Sequence, residues 1–426
     1  LGTLNVPPPP GWYAAAGNFK ILRKIEGAIR NTRPTKRRPR PTIYIATYLL
    51  DRPQSVDALI AACRRGVSVS VVLDEDISSR PSRRLMRVLN ADNVKHNSSK
   101  RGHSVPKRGP CDTKLKKDKK KDKKDKKKHK GKKGKKAKGK AKRAKNPLRA
   151  SRTWGKDRSY VKKCNGACRG GSGGNMHSKF FAFSRTGKAR HVVMVSSSNL
   201  NRGGATLGWN DMYTMRNRPK SYQVYARVHR GMTRDRRTKA HKVEVRDGPY
   251  TSRFFPMRRA TKRTDPTFRD LGKVTCRSAV GPTRIYVSMF YWKGPRGNYL
   301  ATRLLDLARR GCKVNVVYGA PSVQIAERLR NAARARRIML YDSRWDHDGD
   351  GWNEVRTHSK YVLVKGTFGK KRRARVVMTG SQNWVSGSLT RGDENTLNIA
   401  KKGVYQQYVK HWNNIRKHSR RLPYRW

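Results

Sequence analysis

The feature that most constrains this chain is a stretch that occurs twice. One copy reads Met176-His177-Ser178-Lys179-Phe180-Phe181-Ala182-Phe183-Ser184, and the other reads Thr357-His358-Ser359-Lys360-Tyr361-Val362-Leu363-Val364-Lys365. Each is a His-Ser-Lys triplet followed by an apolar run with the composition of a buried strand. Alternation along a strand turns His177 and Lys179 to one side, and likewise His358 and Lys360. A histidine beside a lysine on one face is repulsive unless an anion sits there.

A second motif follows each copy on the next apolar run. Val192-Val193-Met194-Val195 leads into Ser196-Ser197-Ser198-Asn199, and Val376-Val377-Met378 leads into Thr379-Gly380-Ser381-Gln382-Asn383-Trp384. A carboxylate trails each: Asp211 lies 12 residues after Asn199, and Glu394 lies 11 after Asn383. Three features in one order at similar spacing describe a duplicated half-site.

The duplication extends to the surrounding fold. The sequence predicts a strand over 42–47, a helix over 56–65 stopped by Gly66, and a strand over 67–73. It predicts the same unit again as a strand over 283–289, a helix over 299–310 stopped by Gly311, and a strand over 312–318. The copies are offset by 242 residues at Ile43/Ile285 and 245 at Gly66/Gly311. A period that long excludes a solenoid and indicates a duplicated domain built from parallel β-α-β units.

These residues resemble the phospholipase D superfamily, whose signature is His-x-Lys followed by a small-Ser-x-Asn element in each half. The resemblance implies two homologous α/β/α domains, with mixed sheets flanked by helices and one active site at their interface. The boundaries expected here are 1–255 and 256–426. The family's longer motif places an Asp five residues after the Lys; Ser184 and Lys365 stand there. The implied chemistry is phosphodiester cleavage through a covalent phosphohistidine, with no cofactor required. His177 maps onto the usual nucleophile and His358 onto the acid/base. Lys179, Lys360, Asn199 and Asn383 would stabilise phosphoryl charge, and Asp211 and Glu394 would each orient one imidazole. Ser197, Ser381 and Trp384 are expected to contact the substrate. Trp209, Trp292 and Trp352 also lie near the motifs, as pocket lining or core.

Net charge bears on the substrate. The chain carries +76, of which the tract 114–145 supplies +18, so +58 remains outside it. Such a field concentrates polyanions. The expected partner is an anionic phosphodiester. A phospholipid head group is the first expectation and nucleic acid the alternative. A non-catalytic polyanion binder is the third. The Lys-rich insertion 113–146 is too charged to pack and reads as a disordered polyanion tether.

Six cysteines without a Cys-x-x-Cys zinc pattern suggest disulfides and an exported, processed chain whose signal peptide has been removed. The pairing expected is Cys63–Cys111, Cys164–Cys168 and Cys276–Cys312. No apolar run is long enough to span a bilayer, and a monomer is expected. Asp346, Asp348, Asp350 and Glu354 have the spacing of a calcium loop, but Thr357 takes the position of the bidentate Glu, so the pattern is incomplete. Gly170 to Gly174 reads as a flexible approach to His177. Residues 251–282 read as a link between the halves, residues 215–250 as strand-like and basic, and 404–417 as a docked terminal helix.

Overall fold

A computed structural model describes residues 3–5, 19–36, 40–74, 78–94, 108–109, 111, 113–114, 159–238, 243–344, 346, 351 and 353–422. All but the first residue of the Lys-rich tract, and Trp352, lie outside these described residues.

Two mixed sheets carry the duplication. One runs in the order Thr3–Asn5, Gly208–Met215, Ala189–Ser196, Phe180–Thr186, Thr42–Ala46, Ser68–Asp74, Tyr160–Cys164. The core of the other runs in the matching order Asn395–Ile399, Lys371–Gly380, Lys360–Phe368, Arg284–Trp292, Lys313–Pro321, Ile338–Asp342. In each sheet the last three strands are parallel to one another. The helices Pro53–Arg64 and Gly294–Arg309 supply the first crossovers. The turns that end them need Gly66 and Gly311, whose φ values of 89° and 90° are left-handed.

Burial divides the molecule into layers. Ile25, Leu59 and Leu85, from three helices, pack with Val69 and Phe181 on the outer face of the first sheet. Leu300, Leu304, Ile325 and Leu329 do the same for the second sheet with Val287 and Val316. Between the sheets lies a shared core that includes Val193, Tyr213, Val377 and Leu397, filled from the sides by the helices Pro219–Met232 and Lys402–Lys417. The terminal helix presents Tyr405, Tyr408, Trp412 and Ile415 at helical spacing. Trp412 Nε1 donates to the Val287 carbonyl at 3.0 Å and Tyr408 OH donates to Asp211 at 2.8 Å, so this helix ties the second sheet to the first.

Two segments differ from their sequence reading. Residues 215–250 include the helix Pro219–Met232, whose apolar residues turn to the shared core while its arginines face outward. Residues 251–282 hold much of Tyr250–Phe254 and the helix Pro266–Gly272. Tyr250–Phe254 pairs with Asn395–Ile399, so residues N-terminal to 256 join the second sheet. The disulfides are Cys63–Cys111, Cys164–Cys168 and Cys276–Cys312. By loop entropy, the first, closing 48 residues, constrains the unfolded chain by about 4 kcal/mol, against about 2 kcal/mol for the second, which closes 4.

Candidate active site

Each His-Ser-Lys segment is seated on the opposite half. The His177 N–H donates to the Asp393 carbonyl at 2.9 Å, and the Lys179 N–H to Asn395 Oδ1 at 2.9 Å. The His358 and Ser359 N–H groups both donate to the Trp209 carbonyl, at 3.0 and 2.9 Å. Arg356–Thr357 adds a parallel strand to Gly208–Trp209. Both histidines therefore lie just ahead of their strands, at the seam, and neither half completes its own segment.

The imidazoles have different partners. His177 Nδ1 lies 2.9 and 3.0 Å from the two oxygens of Glu394. A carboxylate only accepts, so Nδ1 carries the proton and Nε2 is the free nitrogen. His358 Nδ1 lies 2.9 Å from Asn210 Oδ1. The Asn210 amide nitrogen donates to the Gly204 and Gly208 carbonyls at 2.7 and 3.0 Å, which turns its oxygen toward His358 and again fixes the proton on Nδ1. Asp211, expected to orient one imidazole, hydrogen-bonds to neither histidine. Strand alternation turns Asp211 to the shared core, where Thr379 Oγ1 and Tyr408 OH donate to it. The residue equivalent to Glu394 is Asn210: both stand 11 positions after the motif asparagine. That equal spacing was the available signal, and the preference for a carboxylate hid it.

The motif asparagines are arranged alike. Leu49 N–H donates to Asn199 Oδ1, and Tyr291 N–H donates to Asn383 Oδ1, both at 3.3 Å. Fixing the oxygen leaves each NH2 available to a ligand. Ser197 and Ser381 are fully buried and stand behind the orienting groups rather than in the cavity. Ser197 Oγ donates to Asn210 Oδ1 at 3.0 Å and Ser381 Oγ donates to Glu394. Each accepts in turn from the backbone N–H of Asp211 or Asn395. They brace positioning groups. Trp384 likewise is core: it packs edge-on against Trp292 at 4.5 Å, and Trp209 is buried as well.

Both lysines are buried, Lys179 at 0 % and Lys360 at 3 % exposure. Each ammonium donates to the carbonyl of its own histidine. Burial lowers Lys179 to about 7, against the pull of Glu394 and Asp74. Burial, then Lys179, holds Lys360 well below the usual lysine range. Burial also lowers His177, with Glu394 opposing it and Lys179 adding to it. His358 is driven well below its ordinary value by burial and then by Lys360, Lys179 and His177. Burial disfavours positive charge on all four groups, and an anion held against the lysines and His358 would offset that cost.

Aromatic rings complete the symmetry. Tyr48 packs against His177 at 5.5 Å and Phe290 against His358 at 4.9 Å, each also near the lysine of its half. They are 242 positions apart, the same offset as Ile43/Ile285. Two cavities open on the site. One, of about 340 Å³, is walled by Tyr48, His177, Asn383 and Arg391. The other, of about 450 Å³, is walled by Leu207, Gly208, Phe290, Arg356 and His358.

Other expected features fall away from the chemistry. Gly170 to Gly174 is not a loose approach: a Cβ on Gly170 would come within 1.6 Å of the Arg391 carbonyl oxygen, and one on Gly174 within 2.4 Å. These glycines let the loop lie directly on the second half. Ser184 does hydrogen-bonding work at a position where the family motif has Asp, accepting from the Thr42 N–H at 2.8 Å. Lys365 pairs across the sheet with Arg284 and Arg375. Asp348 and Asp350 of the calcium pattern lie outside the described residues. Asp346 accepts from the Gly351 N–H at 2.7 Å, as a turn does, and the described residues include no cluster of three metal-ligating side chains.

The chain matches the family described as cardiolipin synthase, PLD-like domain, over residues 37–232 and 277–416. No curated protein sequence matches it. Its structure is similar to phosphatidylserine synthase from Haemophilus influenzae Rd KW20, with a TM-score of 0.55 and 13% identity, over 95% of this chain and 86% of that one. It is also similar to polyphosphate kinase from Porphyromonas gingivalis, with a TM-score of 0.49 and 12% identity, over 97% of this chain and 46% of that one. It therefore spans less than half the length of that kinase. Nuc from Salmonella typhimurium, a phospholipase D family member, aligns with a TM-score of 0.29 and 18% identity, over 42% of this chain and 98% of Nuc. At such identities the likeness to the synthase shows the fold alone.

Proposed function

Because the chain belongs to the phospholipase D-like family of cardiolipin synthase type, we propose that it cleaves a phosphodiester through a phosphohistidine on His177. The observation that carries the roles is the unequal support of the two rings. Glu394 stabilises positive charge on His177, which a phosphorylated ring bears, whereas neutral Asn210 leaves His358 a stronger acid.

His177 Nε2 attacks phosphorus and the bond to the leaving alcohol breaks. His358, protonated on Nε2 when the anionic substrate is bound, gives that proton to the departing oxygen. His358 then takes a proton from water, whose oxygen attacks phosphorus, breaks the N–P bond and returns His177. Lys179, Lys360 and the Asn199 and Asn383 amides hold the phosphoryl oxygens as charge develops. This order places the leaving alcohol in the cavity beside His358 and the retained group in the cavity beside His177.

Phospholipid head-group cleavage is the first reading for substrate, supported by the family's description. Nucleic acid is the second, supported by a net charge of +58 outside the Lys tract. Three disulfides support an oxidising, extracytoplasmic setting. Among the described residues no helix is long and apolar enough to cross a membrane.

The test is hydrolysis of phospholipid vesicles and plasmid DNA side by side in excess EDTA, with His177→Asn as control. Lipid cleavage that the substitution abolishes is the expected result. DNA cleavage alone would assign the second reading. No cleavage of either, with calcium restored as well, would overturn the proposal.

A further inference from the structure

A third cleft takes no part in this chemistry. It lies between the hairpin strands Val243–Asp247 and Tyr250–Phe254 and the helix Pro266–Gly272, with a volume of about 380 Å³. It shares no lining residue with the cavities at His177 and His358. Six cations and two carboxylates line it, and five of the six cations are arginines.

Its floor is internally neutralised. Arg253 is buried, donating from Nε to Glu244 at 2.8 Å and from Nη1 to Asp270 at 2.6 Å. Lys273 Nζ also donates to Asp270, at 2.6 Å. Both carboxylates are thereby engaged. Arg258, Arg259 and Arg269 have no ion-pair partner among the described residues; Arg258 reaches the Thr238 carbonyl at 3.5 Å. Arg259 is held at φ 58°, a left-handed value that an arginine rarely adopts. The backbone beside it is pinned, Met257 N–H to the Leu389 carbonyl at 2.8 Å and Ala260 N–H to the Met257 carbonyl at 3.2 Å.

Exposed cations are common on a chain of this charge. This group differs in being concave, in resting on a braced floor, and in presenting guanidinium forks rather than ammonium groups. We propose that the cleft binds a compact anion of linked phosphates, a diphosphate or triphosphate, with Arg258, Arg259 and Arg269 closing on its oxygens. An excess of four positive charges over one small cavity suits linked phosphates better than a single one. The inference is independent of the activity assigned to the histidines.

The experiment is calorimetric titration of the full chain with pyrophosphate and, separately, ADP at physiological ionic strength. One variant carries Arg258→Gln, Arg259→Asn and Arg269→Gln, with Asn chosen because it tolerates the left-handed backbone. The control carries Lys20→Gln, Arg23→Gln and Lys24→Gln, which removes three exposed cations from the helix Lys20–Arg30. We expect saturable pyrophosphate binding that the cleft variant weakens about tenfold or more, while the control changes it less than about twofold. ADP binding with the same pattern would assign a nucleotide's diphosphate, and its absence would assign the free anion. Equal losses in both variants would mean diffuse charge only and would overturn the proposal, as would no saturable binding. Circular dichroism checks that each variant is folded. If the triple variant unfolds, Arg269→Gln alone, at an exposed position, is expected to weaken binding several-fold, and no change would overturn the proposal.

Discussion

The two half-sites share fold, strand order and offset, yet one histidine leans on a carboxylate and the other on an amide. Glu394 and Asn210 occupy equivalent positions, are braced by equivalent serines and meet the same Nδ1 atom. What separates them is one charge in a buried site, where a charge acts strongly. The fold carries two copies of one scaffold, and in the mechanism proposed above a single side-chain difference divides the labour between a group that bonds to phosphorus and one that moves a proton.

The largest effect that would sharpen this comparison comes from the rings themselves. His177→Asn and His358→Asn are each expected to lower kcat by about 10³-fold or more in steady-state hydrolysis. They differ with a 4-nitrophenyl phosphodiester, whose leaving group departs without a proton. There His358→Asn is expected to release a burst of nitrophenol and His177→Asn none. Bursts from both variants would break the comparison.

Changing the supports comes next. Glu394→Gln makes both supports neutral and is expected to cost about 10²-fold in kcat. Asn210→Asp makes both anionic. It raises His358 and weakens it as an acid, so a loss of about tenfold is expected with the alkaline limb of the pH–rate profile moved upward. An unmoved limb would argue against a proton-transfer role for His358.

Smaller effects test the shared electrostatics. Burial holds Lys179 at about 7, so a bound anion that raises it draws in a proton. Vanadate affinity is therefore expected to fall as pH rises above about 7, with proton uptake visible in buffers of different ionisation enthalpy. Proton release would contradict this. The same depression means the unfolded chain binds the Lys179 proton more tightly than the folded one. Lys179→Met is expected to raise Tm most below about pH 7, and its advantage should fade toward pH 10 as the unfolded lysine also loses its proton. An advantage that grows with pH would contradict the burial argument.

Much of this was legible in the sequence because each half repeats its signals. The His-Ser-Lys triplets, the motif asparagines and the Gly-stopped helices recur in one order, and the strands and helices of the two β-α-β units formed where periodicity placed them. Chemistry that depends on what touches what was less legible. Asp211 is the better carboxylate on paper, but one residue along a strand reverses the direction of a side chain, and Asn210 faces the site. Ser197, Ser381 and Trp384 sit in the motifs for reasons of support and packing, which composition does not separate from contact with substrate. Tyr48 and Phe290 lie far from the motifs in sequence, and only the sheet brings them to the histidines. The loop from Gly170 to Gly174 shows the same limit. Glycine suggests freedom in a sequence, while here it permits a tight fit against Arg391.

The most direct test of the central claim is rapid quench of His358→Asn with the nitrophenyl phosphodiester, followed by alkaline workup and peptide mass spectrometry. The account predicts a phosphoryl adduct on the peptide containing His177, at Nε2, in an amount matching the burst. A hydrolysis burst with no adduct, or an adduct on any other residue, would contradict it.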